Sequence, residues 1–120
     1  VGIMCDATDM AHTLTHWTRD RSRGPRVGLE DAVRRLTSAN ADAIGLTDRG
    51  RIAPGKRADI NVVDYDRLRL RRPEVHYDLP AGGKRILQRS DGFDATLVAG
   101  IPTWRDGEAT GALPGRLLRS

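Results

Sequence analysis

Four side chains in this sequence could hold a metal ion or attack a carbonyl: Cys5, His12, His16 and His76. His12 and His16 lie one helical turn apart in the stretch DMAHTLTHWTRDRSRG, a spacing that lets two imidazoles face one ion, with Asp9 or Asp20 as a further oxygen ligand. Thr13 and Thr15 do not complete such a shell, and no third His or Cys is near. Packing of His16 with Trp17 at a helix interface is therefore the preferred reading. Cys5 beside Asp6 pairs a thiol with an acid, but without a His shown to be within reach the default is a small buried residue. His76, in PEVHYDLP, stands alone and reads as a satisfied or exposed surface residue, while Asp59 and Asp64 flank a short strand and read as turn caps. There is no Gly-x-Gly-x-x-Gly, phosphate loop or Cys-x-x-Cys. By themselves these residues name no reaction.

The elements that must position them change texture along the chain. Met10, Leu14 and Trp17 recur at i, i+4 and i+7, which predicts a helix of roughly three turns capped by Thr8 or Asp9 and closed at Gly24-Pro25. Arg19 and Arg21 fall where the negative end of its dipole favours cations. Leu29, Ala32, Val33 and Leu36 form a second amphipathic stripe, with Glu30–Arg34 and Asp31–Arg35 as acid-before-base pairs opposite. A third short helix is expected over Ala39–Ile44, with Ser38 as cap, Gly45 as the residue past its end and Leu46 as the apolar contact beyond.

From Gly50 the period becomes that of strands. In GRIAPGKRADINVVDYD, Pro54-Gly55 predicts a type II turn, and Ile60 and Val62 of the following strand share a face. Lys84–Gln88 is a plausible strand, and Ala95–Val98 with Ile101–Arg105 predict a hairpin closed by the two-residue loop Ala99-Gly100. The tail TGALPGRLLRS carries too many breakers to be a strand throughout and is expected to order near its leucines.

With 120 residues, 38% hydrophobic and 30% charged, the chain has room for one ordinary globular domain, yet aromatics are only 4%. Leu, Val, Ile and Ala must supply the core, and a partner domain would help it. A single cysteine excludes an internal disulfide, and no apolar run approaches a membrane span. The expectation is a soluble, cytoplasmic protein with no membrane partner. The formal charge of +4 is spread among acids except in RLRLRR, Arg67 to Arg72, which reads as a solvated strand edge guarded by charge rather than a phosphate or nucleic-acid surface. The start at Val1, without an initiator Met, gives the expectation of a fragment of something longer.

The order Gly-x-Ile-x-Pro-Gly-Lys-x-Ala-Asp-x-x-Val-x-Asp from Gly50 resembles the segment by which amidohydrolase-superfamily enzymes pass from the last barrel helix into their small β domain. LTHWTRDR, LEDAVRRLTS, RPEVHYDLPAGGKRILQRSDGF and ATLVAGIPTWRDGEATGALPGRLLR extend the likeness to one branch, the N-acyl-D-amino-acid deacylases. The resemblance implies an α+β piece: residues 1–48 are helices from the end of a (β/α)8 barrel, and residues 49–120 are antiparallel-rich strands of a small composite β-sandwich domain. It implies hydrolysis of the amide of an N-acyl-D-amino acid by a zinc-activated water in the parent enzyme, with the rest of the barrel as partner and a homo-oligomer left open. The family's metal-binding His-x-His and later His have no counterpart here, and its Ser-Asp-x-Gly-x-His string is absent, so this chain alone should bind no zinc and be inactive. Cys5 and Asp6 fall in the loop after the catalytic strand. With His12 they are the candidates for contact with substrate. Two other readings stay open: a non-catalytic relative in which this piece serves assembly, and an independent basic binding domain.

Overall fold

The computed structural model of the protein describes residues 8–118. Cys5 and Asp6 lie outside them. The first helix begins as α1, Thr8–His12, and continues without a break as a π-helical segment, Thr13–Asp20. The three-turn helix is thus present, but its register is not α. Threonines help explain why: Thr15 Oγ1 donates to the Ala11 carbonyl at 2.9 Å and Thr18 Oγ1 to that of Leu14, a back-bonding that competes with the regular ladder. The wider turn also changes which face is covered. Ala11 and Thr15 are buried, whereas Met10 and Trp17, expected inside, are exposed.

Helix α2, Leu29–Leu36, carries the expected stripe, with Ala32 buried, Leu29 and Leu36 half-buried and Val33 exposed. Asp31 takes both arginines, Arg34 and Arg35 at 2.7 Å each, so the Glu30–Arg34 pairing is not formed. Their hydrogen bonds, Arg34 first, hold the Asp31 carboxyl below the usual range. Helix α3, Ser38–Ala43, starts one residue before the expected span, with Ser38 inside it rather than capping it. Its end follows the sequence: the Leu46 N–H donates to the Ala41 carbonyl at 2.8 Å and Gly45 to Asp42 at 3.2 Å, the paired bonds of a Schellman close.

All strands pair antiparallel. A four-stranded sheet runs in the order β1 (Ile60–Val63), β6 (Phe93–Val98), β7 (Ile101–Arg105), β8 (Glu108–Ala109). Two ribbons accompany it: β2 (Arg69–Leu70) with β5 (Ser90–Asp91), and β3 (Glu74–Leu79) with β4 (Gly83–Leu87). Helices first and antiparallel sheets second make the architecture α+β.

The Pro54-Gly55 turn forms as expected, with Lys56 N–H on the Ala53 carbonyl at 3.1 Å and Gly55 at φ 80°. The Ala99-Gly100 loop also holds. Val98 faces Ile101, and both loop residues have positive φ, 52° and 79°, the type I′ geometry. Asp59 and Ala58 fix this loop from outside: Asp59 Oδ1 accepts the Ala99 N–H and the Ala58 carbonyl accepts the Gly100 N–H, each at 2.8 Å. Ala99 pays a left-handed penalty that asparagine bears better, so Ala99→Asn should stabilise the chain by about 0.5–1 kcal/mol. A rise of a few degrees in melting temperature checks it.

The interior is small. Ala11, Ala32, Ala41 and Leu68 form the buried apolar core among the described residues, and Leu68 is its one large side chain. The solvent-accessible surface is 9212 Å², against about 6,400 Å² for a compact monomer of this mass. The radius of gyration, 16.2 Å, exceeds the roughly 13.6 Å expected of a compact 120-residue domain. Ile44, Ile52, Tyr77 and Leu113 stand more than two-thirds exposed. The tail leucines are not an ordering core, since Leu113, Leu117 and Leu118 are all exposed.

Candidate functional site

His12 ends α1 and His16 lies in the π-helical segment, and the helix brings the two rings together. Their centroids are 5.0 Å apart and their planes nearly parallel. His16 meets Trp17 edge-on at 5.3 Å, as the packing reading expected, although Trp17 is exposed rather than buried at an interface. His76 is far along the sequence on β3, where its Nε2 faces Glu74 Oε2 at 3.4 Å. Among the described residues no three His, Cys, Asp or Glu side chains are placed to hold a metal ion. A catalytic zinc takes three protein ligands and a water, so the described donors do not fit one.

Asp64 caps a turn, its Oδ1 accepting the N–H groups of Asp66 and Arg67 at 3.1 Å each. Asp59 does so for the hairpin loop. Its burial pushes the carboxyl up, but the Ala99 N–H and the Arg57 and Arg49 guanidiniums outweigh that and hold it below the ordinary range. The basic run is spent locally: Arg67 meets Asp64 and Asp94, while Arg69 and Arg71 both meet Asp91. Arg71, then Arg69, hold the Asp91 carboxyl low. Leu68, between these arginines, is fully buried, so the run is a guarded edge.

The helix carrying His12 and His16 is joined to the sheet by two residues whose role the sequence did not reveal. Arg19 donates from Nη1 to the Tyr65 carbonyl and from Nη2 to the Leu68 carbonyl at 2.7 Å, while Nε bonds Asp20 at 2.7 Å. The Thr18 hydroxyl, donating to Leu14, leaves its lone pairs for the Tyr65 hydroxyl at 2.6 Å. Asp20 raises the Arg19 pKa, chiefly through their hydrogen bond. Spacing alone assigned Arg19 to its own helix end; the guanidinium instead reaches a loop more than forty residues on.

The sequence pattern of the amidohydrolase family matches residues 1–109. The chain belongs to the amidohydrolase family. A D-aminoacylase of Alcaligenes xylosoxydans xylosoxydans is 32% identical over 105 residues, covering 88% of this chain and 19% of the relative. An N-acyl-D-aspartate deacylase of the same organism is 33% identical over 108 residues, covering 88% and 20%. An imidazolonepropionase of Ruegeria sp. (strain TM1040) is 50% identical over 42 residues, covering 35% and 10%. No solved structure matches the chain. This amidohydrolase chain thus spans about a fifth of the length of the two deacylases it matches. No helix among its described residues is long and apolar enough to cross a membrane.

Proposed function

We propose that this chain is the C-terminal part of a hydrolase acting on the amide of N-acyl-D-amino acids. The observation that carries the reading is the likeness to two deacylases of that substrate class over 88% of the chain. Residues 1–48 are assigned to the end of the barrel and residues 49–120 to the small β-sandwich domain. The described elements are in keeping with this, the α- and π-helices falling within residues 8–43 and the strands, with one 3-10 turn at Pro80–Gly82, within 60–109. The large surface and small core support a chain that completes its packing against the rest of a barrel. Zinc, in this reading, belongs to that remainder. What these residues contribute is position: the Arg19 and Thr18 contacts hold the helix bearing His12 against the sheet, and Cys5, Asp6 and His12 remain the candidates for lining a substrate pocket.

The chain alone is expected to be inactive. Incubated with zinc and N-acetyl-D-amino acids, it should release no amine above a blank. Turnover that His16→Ala abolishes would show that the chain assembles a centre of its own. For the substrate class, the test is to express the gene's longer reading frame and compare N-acetyl-D- with N-acetyl-L-amino acids; hydrolysis of neither sinks the deacylase reading.

A further inference from the structure

The run of arginines most conspicuous in the sequence, Arg67 to Arg72, is largely neutralised by Asp64, Asp91 and Asp94. A different group is less fully neutralised. Among the described residues Arg21, Arg23 and Arg26 form no ion pair within 4.0 Å; the neighbouring Asp20 is bonded by Arg19, and Arg26 lies near enough to help hold its carboxyl low. These three cations lie within six residues, on one loop.

The loop is held in shape by its own atoms. Val27 N–H donates to the Trp17 carbonyl at 2.9 Å and closes its base. Arg26 Nε donates to the Arg21 carbonyl at 3.1 Å, and Arg21 Nε to the Arg23 carbonyl. Arg21 also lies over the Trp17 ring, Cζ 4.4 Å from its centroid. Each Nε bond and the ring contact restrict a guanidinium while leaving its paired terminal N–H groups available. Two such planar forks are pre-set to bind oxygen pairs. Gly24 belongs to the arrangement through its positive φ, 76°, and the Arg21 guanidinium lies against it, Nη2 2.8 Å from where a Cβ would stand.

Helix-end cations usually offset the dipole, and Arg21 stands at that end, its backbone N–H closing the last turn on the His16 carbonyl. That role does not account for Arg23 and Arg26, which lie beyond the last turn. A single-stranded nucleic acid would stack on free rings, and Trp17 is already covered by Arg21 on one side and met edge-on by His16.

We propose that the Arg21–Arg26 loop is a binding site for a compact oxyanion carrying two or more negative charges, of phosphate or carboxylate type. This is independent of the deacylase reading, since it rests on the charges and contacts within this loop. The probes are inorganic pyrophosphate and citrate, each titrated into the full chain, with heat measured by calorimetry and Trp17 followed by fluorescence in a Trp104→Phe background. Binding of either should saturate at one per chain, and whichever binds tighter identifies the oxyanion. Arg26→Ala and Arg23→Ala should each weaken binding about tenfold, the loss of one charge-assisted contact. Arg23 forms no side-chain bond within the loop, so its variant should keep the fold. Gly24→Ala should weaken binding without changing charge, whereas Arg69→Ala, which removes an arginine already paired, should not. Absence of saturation, equal losses from Arg69→Ala and Arg23→Ala, or tighter binding of an oligothymidylate that ignores Arg26→Ala would each overturn the proposal.

Discussion

Replacing Gly92 by alanine should cost this chain more stability than any other single added methyl. Gly92 is buried at φ 94°, between β5 and β6. A Cβ there would meet the Leu68 backbone N and Cα at 2.7 Å and the Asp64 carbonyl at 2.9 Å. None of these is the far end of a flexible side chain, so the loop carrying Leu68 would have to move, and Leu68 is the only large fully buried side chain described. The Asp64 N–H to Gly92 carbonyl bond, 2.8 Å, would be strained with it. Gly55 supplies the control. It also has positive φ, 80°, but nothing lies within 4 Å of its would-be Cβ. Gly55→Ala should therefore lose only the left-handed term, about 1–2 kcal/mol. Gly92→Ala should lose that and the displacement of a packed backbone, about 3–5 kcal/mol in total. Urea midpoints measure the difference; equal midpoints for the two variants would mean that Leu68 and Gly92 do not approach each other closely.

The parts of the fold legible in the sequence are those set by local chemistry. Pro54-Gly55, the Gly45-Leu46 close of α3 and the Ala99-Gly100 hairpin each depend on backbone preferences of two or three adjacent residues, and each forms as read. Other local signals mark elements in the same way. Val75, Tyr77 and Leu79 alternate as a strand should and form β3, and Asp106-Gly107, both at positive φ, join β7 to β8. The exposed faces were not legible in the same way. Apolar periodicity placed Met10, Trp17 and Val33 inside, but it marks only a face that something must cover, and this chain does not cover it. The π register was hidden for another reason, since it goes with threonine hydroxyls bonding carbonyls of the preceding turn rather than with any repeat of apolar residues. At the candidate site the spacing of His12 and His16 did bring two rings together. Which arginines find acids depends on where distant loops return, so the Asp91 and Asp94 partners of the guarded run at Arg67 to Arg71, and the weaker neutralisation of the loop at Arg21 to Arg26, could not be read from order alone.

The same long-range return makes Arg19 the residue whose truncation should most weaken the join between helix and sheet. Its side chain is 27% exposed, and it donates to the Tyr65 and Leu68 carbonyls while its ring contact with Tyr65 holds Cζ 5.3 Å from the centroid. Alanine would leave part-buried carbonyls without donors, and hydrogen bonds from a charged group are worth about 1.5–3 kcal/mol apiece. Arg19 Nη1 also reaches the exposed Asp66 carbonyl at 3.4 Å, which water would recover, so a net loss of about 3 kcal/mol is expected. Lysine is the informative substitute. It keeps the charge and the Asp20 attraction but cannot direct separate N–H groups at carbonyls three residues apart, so Arg19→Lys should recover less than half of the loss. Tyr65→Phe removes only the hydroxyl that meets Thr18 and should cost about 1 kcal/mol. The Arg19 contacts and the Thr18–Tyr65 bond share one loop, so the effects of Arg19→Ala and Tyr65→Phe should fall short of additive when combined. Full recovery by lysine would show that charge, rather than the fork of donors, fastens the helix to the sheet.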